Sequence, residues 1–215
     1  MKLYIDSREP KQIINLINNY NNNAKEQFEI IIKSLDLGDY LIENEDKSLI
    51  LFERKSLADL EASIKDGRYS EQSYRLNECA IANHNIIYLI EGAIINYKNK
   101  YFVNSLYSSL LTLNYFKGFS IMNSINLLES AEIIFRFTNK LLRENEKFGY
   151  YSQHYTNNEG SNNEGSNNEY LNKDNNINYE SVIKSTKKSN ITKENINTIM
   201  LMQIPNVSNV SANAI

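Results

Sequence analysis

Three side chains suited to metal-assisted chemistry, Asp39, Glu53 and Lys55, fall on or directly beside two neighbouring predicted strands. The strands, 40–43 and 49–54, are joined by a polar stretch that is typical of a hairpin turn. Because side chains alternate along a strand, Glu53 and Lys55 point to the same face. A hairpin centred near residue 46 places Asp39 opposite or diagonal to Glu53, so two carboxylates and one ammonium meet at one edge of the sheet.

This group favours hydrolysis of a phosphodiester. Carboxylate oxygens suit Mg²⁺ or Mn²⁺, and a metal between them polarises a phosphodiester oxygen and lowers the pKa of a bound water. An ammonium nearby orients that water or offsets the charge that grows on the phosphate. An ordinary exposed hairpin fits the same pattern. Apolar residues flank the charges on both faces, however, and a covered strand should not hold charges without a reason. These residues are Leu41 and Leu51 on one face, and Ile42, Ile50 and Phe52 on the other.

The composition narrows the class of protein. With 215 residues, of which 41% are hydrophobic and 23% charged, the chain fits one globular domain, with or without an appendage. It has no apolar run of about 18 residues, so no membrane partner is expected, and an early charge argues against a secretion signal. One cysteine and two histidines exclude a disulfide framework, a cysteine zinc site and a multi-histidine metal site. The net charge of −3 argues against a protein that coats nucleic acid, although not against local contacts.

Alternating strand and helix patterns up to about residue 148 predict an α/β fold with a covered sheet. Pro10 suits the first turn of a helix, Ser56 can cap a second one, and Asp66-Gly67 ends that second helix. The other predicted elements are strands at 3–5, 28–32, 86–90 and 119–122, and helices at 74–82, 103–116 and 126–146.

The rest of the chain divides into two parts. Residues 149–190 contain a five-residue repeat, Asn157–Ser161 followed by Asn162–Ser166, and few large apolar residues, which predicts a disordered, low-complexity linker. Residues 191–215 turn apolar again and predict a helix, a turn and the start of a second helix. The predicted domains are therefore 1–148, 149–190 and 191–215.

A longer motif surrounds the charged hairpin. Gly38-Asp39 followed by Glu53–Asp59 matches the GD…ERKxxxD signature of the XPF family of structure-specific endonucleases, and the chain resembles that family over about residues 2–146. The sequence Asp6-Ser7-Arg8-Glu9 fits the family's first strand, and Ile87–Gly92 fits a later buried strand. The stretch 63–76 resembles most the branch that cuts forks, flaps and crossover junctions.

The resemblance implies a restriction-endonuclease-like mixed sheet flanked by helices, which forms an ERCC-type nuclease domain. It also implies that Asp39, Glu53 and Lys55 are catalytic, with Lys55 as the water-orienting base or charge stabiliser. The implied ligands of the Mg²⁺ or Mn²⁺ ion are Asp39, Glu53, Asp6 and Asp59. The implied supporting residues are Arg54, Arg68 and Gln72, of which Arg54 is expected to support the acidic cluster rather than touch DNA.

The C-terminal part resembles one helix-hairpin-helix unit, with which this family grips DNA phosphates through backbone N–H groups at a helix N-terminus. The implied DNA-binding residues are Pro205, Asn206, Val207 and Ser208. Asn206 and Ser208 stand where the family has glycines, and the sequence stops within the first of the family's two hairpins. A short docking pair of helices without DNA contact is the alternative.

The resemblance implies a Mg²⁺-dependent endonuclease of DNA repair or recombination that cuts one strand near a branch, in the nucleus or at another intracellular site of DNA replication. It also implies a homodimer, or a heterodimer with a related subunit. The apolar stripe of helix 126–146 either supplies that interface or packs against its own sheet. Two other functions stay open: a non-catalytic DNA-binding subunit, which usually lacks the acidic or lysine positions present here, and a less structure-selective nuclease.

Overall fold

The structure, a computed structural model, describes residues 1–147, 149–150, 195–204 and 207–212. The chain divides into two compact units, Met1–Ala62 with Arg75–Ser161, and Ser63–Tyr74 with Asn162–Ile215. The predicted linker, 149–190, lies outside the described residues except for its first two positions.

One six-stranded mixed sheet organises the first unit. Its strands are β1 (Lys2–Asp6), β2 (Glu29–Lys33), β3 (Tyr40–Asn44), β4 (Lys47–Ser56), β5 (Ile86–Glu91) and β6 (Ser120–Ser124), in the spatial order β2-β1-β3-β4-β5-β6. β3 runs antiparallel to both of its neighbours, and the other adjacent pairs are parallel. The carboxyl ends of five strands therefore meet the amino end of β3 at one edge, which is where ligands bind in open α/β sheets. All six predicted strands are present.

The β3–β4 hairpin turns at Glu45-Asp46, whose φ angles of 48° and 63° suit the tight two-residue turn that twists with its strands. Its register pairs Tyr40 with Phe52. The hairpin is therefore centred where the sequence predicts, and Asp39 enters the sheet beside Glu53.

The helices are α1 (Lys11–Asn22), α2 (Leu57–Asp66), α3 (Arg68–Asn77), α4 (Val103–Leu111), α5 (Leu127–Arg143), α6 (Ile196–Leu201) and α7 (Asn209–Ala212). Ser56 caps α2 as predicted, because its Oγ accepts the N–H of Asp59 at 3.1 Å. Within the described residues, no helix has both the length and the apolar character needed to cross a membrane.

The predicted helix 74–82 has the wrong bounds, since α3 begins at Arg68 and ends at Asn77. Gly67, at φ 82°, breaks α2 as predicted. The carboxylate of Asp66 accepts the N–H of Arg68 at 3.1 Å, so the chain re-enters a helix at once. The polar first turn of α3 carries no apolar period, which hid it from sequence analysis.

The apolar stripe of α5 packs against its own sheet and α1. Ala131 and Ile134 are fully buried in the main core, and the rings of Phe137 and Phe52 meet at 5.8 Å. The Asn126 side chain caps the helix by accepting the N–H of Glu129 at 3.0 Å. Of the two roles considered for this helix, packing is the one observed.

Candidate active site

The two carboxylates of the motif lie side by side across the β3–β4 hairpin. The Asp39 N–H donates to the carbonyl of Phe52 at 2.8 Å, and the N–H of Arg54 donates to Asp39 Oδ2 at 2.8 Å. These two bonds flank Glu53, so the side chains of Asp39 and Glu53 lie on the same face of the sheet. Asp39 Oδ1 has no hydrogen-bond partner within the described residues.

Gly38 is required by the backbone at the entry to this hairpin. Its φ is +67°, a region that side chains with a Cβ rarely adopt. A Cβ at this position would also lie 2.6 Å from Leu51 Cδ1 and 2.9 Å from the carbonyl oxygen of Phe52. The glycine therefore lets the chain approach β4 closely enough for Asp39 to make its two bonds.

Lys55 and Glu53 form a buried pair on that same face. Lys55 Nζ lies 3.4 Å from Glu53 Oε1, and the two residues are only 8% and 3% exposed. On the neighbouring strand, Tyr88 stands beside Glu53, and Ile90 beside Lys55. Interactions between charges are stronger in such surroundings than in water.

The pKa of Asp39 is raised by burial and by the neighbouring carboxylates. Burial, and then the negative charges of Glu53 and Glu9, raise it to about 8. Two ionised carboxylates held this close repel each other, and a divalent cation between them removes the repulsion. Hard oxygen donors with a mutual repulsion fit Mg²⁺ or Mn²⁺, so Asp39 and Glu53 are the residues that could hold the metal.

Arg54 points to the opposite face and is clamped by two carboxylates. Its Nε lies 2.7 Å from Glu9 Oε2, and its Nη1 lies 3.0 Å from Glu91 Oε1. Burial is the largest single influence on the pKa of Arg54 and would lower it, but the hydrogen bond to Glu9 and the negative charges of Glu9, Tyr40 and Glu91 together outweigh burial and raise the pKa. The hydroxyls of Tyr40 and Ser130 donate to Glu9 and Glu91 respectively. This network joins the loop after β1 to β3, β4, β5 and α5 behind the face that holds Asp39 and Glu53.

Asp6 and Asp59 are not brought into one cluster with Asp39 and Glu53. In the part of the chain that is described, no three Asp, Glu, His or Cys side chains are placed to hold one metal ion. Asp6 is fully buried and binds Arg8 and the N–H of Leu35. Asp59 accepts the Ser56 hydroxyl at 2.6 Å. Their role as metal ligands stays a prediction.

The remaining predicted residues lie in the second unit. Arg68 is exposed and pairs with Asp66 at 2.7 Å, and Gln72 lies half-buried on α3. Ser208 accepts the N–H of Ser211 at 3.2 Å and so begins α7, with Val207 before it. Pro205 and Asn206 lie outside the described residues. The supporting and DNA-binding roles of all these residues stay predictions.

Sequence reasoning missed the partners of Arg54. Glu9 lies in the recognised Asp-x-Arg-Glu stretch, where an internal ion pair or a place in the metal shell was expected, and Glu91 ends the recognised buried strand, but neither was predicted to pair with Arg54. An arginine on a covered strand predicts two acidic partners, but only the sheet order shows which strands supply them.

The fold and the site define the class of this protein, which is a mixed α/β domain with an acidic pair and a lysine at the edge of its sheet. The family described as the ERCC4 domain matches residues 5–137, more than half of the chain. The chain therefore belongs to the ERCC4 domain family, and its resemblance to the XPF family is confirmed.

Two relatives found by sequence and one protein of known structure are similar to this chain. The chain is 40% identical over 108 residues to the probable crossover junction endonuclease mus81 of Dictyostelium discoideum, a match that covers 45% of this chain and 11% of that protein. It is 26% identical over 204 residues to the crossover junction endonuclease MUS81 of Oryza sativa subsp. japonica, covering 90% and 28%. The chain thus spans well under half the length of either relative.

Structures of XPF from Aeropyrum pernix, alone and in complex with DNA, are similar to this chain at 25% identity, with TM-scores of 0.55 and 0.51. The first covers 66% of both chains, and the second covers 69% of this chain and 67% of that one. The predicted mixed-sheet fold is confirmed.

Proposed function

We propose that this chain is a structure-specific DNA endonuclease that hydrolyses phosphodiesters near branch points such as flaps, forks and crossover junctions, in repair or recombination. The observation that carries the proposal is the hairpin that holds Asp39 beside Glu53 and Lys55. The relatives named as crossover junction endonucleases, and the XPF structure with DNA, support the same reaction and substrate. The proposed place of action is the nucleus or another site of DNA replication.

The proposed cofactor is Mg²⁺, with Mn²⁺ as the alternative, held by Asp39 and Glu53. When bound, the cation supplies a polarised phosphate oxygen and an acidified water. The hydrogen bond from the Arg54 N–H orients Asp39 so that Oδ1 is left for the cation. Because this bond comes from the backbone of β4, the strand that carries Glu53 also sets the direction of Asp39.

Lys55 is proposed to act on the water and the phosphate. Its ammonium lies beside Glu53, where it orients the attacking water and offsets the negative charge that develops on the phosphate. Hydrolysis is direct: water attacks phosphorus and the sugar oxygen leaves, with no covalent bond to the enzyme. Arg54, clamped by Glu9 and Glu91, holds the strand behind the site in place.

The two other functions predict different behaviour. A non-catalytic subunit usually lacks part of the motif, whereas Asp39, Glu53, Lys55 and Asp59 are all present here. A less selective nuclease would use the same site on unbranched DNA. The choice between a branch-selective and a less selective nuclease therefore depends on the substrate and not on the catalytic residues.

We also infer that the chain acts as a dimer of two copies, and that the contact is made by an apolar stripe on α4 and on the π-helical turn that follows it, Thr112–Phe116. This stripe, Tyr107, Leu111, Tyr115 and Phe116, has exposed fractions of 52%, 58%, 75% and 62%. Tyr107 and Leu111 are four residues apart on α4 and so share a helix face. No charged residue occurs in 101–116, so the stripe offers no cation to a phosphate, and two copies meet without like-charge repulsion.

The function is tested by incubating the chain with labelled 3′-flap, fork and linear duplex DNA in Mg²⁺. Cleavage of the branched forms in excess of the linear form is expected. Equal cleavage of all three would support the less selective nuclease. Binding to branched DNA without cleavage would favour the non-catalytic subunit.

A further inference from the structure

Arg8 is an exposed arginine whose orientation is fixed by a fully buried carboxylate. Its Nε donates to Asp6 Oδ1 and its Nη2 to Asp6 Oδ2, each at 2.7 Å. The same Nη2 also donates to the carbonyl of Leu35 at 3.2 Å. The Arg8 side chain is nevertheless 72% exposed, whereas that of Asp6 is 0% exposed. A side chain held by three hydrogen bonds therefore stays open to solvent.

The carboxylate of Asp6 uses all of its acceptor positions to hold Arg8 and Leu35. Oδ1 accepts the backbone N–H and the Nε–H of Arg8, and Oδ2 accepts Nη2–H and the N–H of Leu35. These four bonds fill the four acceptor positions of a carboxylate. Both oxygens of Asp6 thus hold Arg8 in one orientation.

One edge of the guanidinium is left for another molecule. Nε and Nη2 use three of the five donors of Arg8, and both N–H groups of Nη1 have no partner within the described residues. Arginine holds its donors in one rigid plane, so fixing Nε and Nη2 on Asp6 also fixes the direction of the Nη1 N–H groups. Binding of a phosphate oxygen at Nη1 therefore costs little further side-chain entropy.

The loop that carries Arg8 adjoins the backbone of Asp39. The N–H of Asp6 donates to the carbonyl of Asp39 at 2.8 Å, so the base of the Arg8 loop is joined directly to a proposed metal ligand. The charges of Asp39 and Glu53 contribute to raising the pKa of Arg8, after the hydrogen bond to Asp6. A negative DNA strand is repelled by those two carboxylates, and a fixed cation beside them offsets this repulsion.

We propose that Arg8 binds a backbone phosphate next to the scissile phosphodiester, and that Asp6 is the anchor that aims it. The inference rests on the proposed function, because it takes the bound molecule to be the DNA strand that is cut. It gives Asp6 a role that needs no bond to the metal. Loss of the Arg8 contact weakens DNA binding without removing the metal-binding pair.

The test measures binding of the whole chain to fork DNA in Ca²⁺ across a series of salt concentrations, for wild type, Arg8→Ala, Arg8→Lys and Asp6→Asn. Arg136→Ala is the matched control, because the Arg136 side chain is likewise exposed, at 69%, and likewise paired with a carboxylate, that of Glu132. Arg136 is also distant from Arg8 in the sequence. Arg8→Ala is expected to weaken binding about tenfold and to reduce the salt slope by about 0.9. Arg8→Lys keeps the salt slope but loses affinity, because it lacks the fork.

The contacted phosphate is found by replacing phosphates near the cut, one at a time, with uncharged methylphosphonates. Replacement of the contacted phosphate is expected to weaken DNA binding by wild type. The same replacement should not weaken binding by Arg8→Ala any further, since the two changes remove the same contact. Asp6→Asn is expected to behave as Arg8→Ala in this series. Thermal unfolding of each variant checks that the fold is retained.

An unchanged affinity and salt slope for Arg8→Ala, or methylphosphonate effects equal to those in wild type, would overturn the inference. If wild type cuts branched DNA and Arg8→Ala binds as wild type does, only this inference fails. If wild type binds but does not cut, the salt slope still decides the role of Arg8. If wild type does not bind DNA, both proposals fail.

Discussion

The backbone N–H of Arg54 donates to the carboxylate of Asp39 at 2.8 Å, across the turn-distal end of the β3–β4 hairpin. The side chain of the same arginine is fixed on the other face between Glu9 and Glu91. One residue therefore links the acidic pair to the polar network behind the sheet. Any change that shifts Arg54 is expected to move Asp39 as well.

Stability without metal is expected to depend on the charge of Asp39. Its pKa is raised in the fold from 3.8 to about 8, so the folded chain binds this proton more tightly than the unfolded chain does. That contribution to stability is complete below about pH 4 and is lost as the pH rises through 8. In EDTA, Asp39→Asn should therefore gain thermal stability relative to wild type as the pH is raised from 4 to 8.

Added Mg²⁺ should reduce this difference, because the cation removes the repulsion between Asp39 and Glu53 in wild type but has one ligand fewer in the variant. Differential scanning fluorimetry across pH, with and without Mg²⁺, measures both effects. A difference in Tm that stays constant from pH 4 to 8 would contradict the account of the acidic pair.

Gly38→Ala is expected to destabilise the fold more than Gly118→Ala. Both glycines have a positive φ, 67° and 71°, so each substitution costs about 1–2 kcal/mol for the left-handed backbone. At Gly118 the nearest atom to a new Cβ is 3.7 Å away, whereas at Gly38 it is 2.6 Å away. Gly38→Ala should add a further overpacking cost of about 1–3 kcal/mol.

Urea unfolding of the two glycine variants measures this difference. Because the clash pushes β3 away from β4, Gly38→Ala should also lower cleavage of fork DNA. Equal loss of stability in both variants would show that the close approach at Gly38 is relaxed at little cost.

Arg54→Gln is expected to cost about 3–5 kcal/mol in free energy of unfolding, since it leaves Glu9 and Glu91, whose side chains are only 9% and 12% exposed, without their cation. Arg136→Gln is the control: it breaks an exposed pair with Glu132 and should cost at most about 1 kcal/mol. Denaturant titration compares the two. A small effect at Arg54 would mean that the network behind the sheet is not a structural clamp.

Tyr115→Glu is expected to dissociate the proposed dimer, because it places a charge within the uncharged stripe of Tyr107, Leu111, Tyr115 and Phe116. Leu128→Glu is the control, since Leu128 is 53% exposed on α5 and lies outside that stripe. Sedimentation equilibrium at micromolar concentration should show dimers for wild type and Leu128→Glu and monomers for Tyr115→Glu. A monomeric wild type would contradict the inference.

The core of the site could be predicted because it depends on local rules. Strand alternation and a short polar turn fix which residues meet across a hairpin, so the neighbourhood of Asp39 and Glu53 follows from the sequence. The partners of Arg54 could not be predicted, because Glu9 and Glu91 lie 45 and 37 residues away and are brought close only by the order of the strands. The start of α3 was missed for another reason: its first turn is stabilised by the Asp66 cap and not by apolar periodicity.

The most direct test of the central claim compares two aspartates of the same hairpin. Asp39→Asn removes one charge from the proposed metal site, whereas Asp46→Asn removes one from the exposed turn, whose positive φ asparagine tolerates. Single-turnover cleavage of labelled fork DNA in Mg²⁺ should fall by at least about a hundredfold for Asp39→Asn and stay at the wild-type rate for Asp46→Asn. Equal rates for wild type and Asp39→Asn would contradict the claim that this hairpin is the site of DNA cleavage.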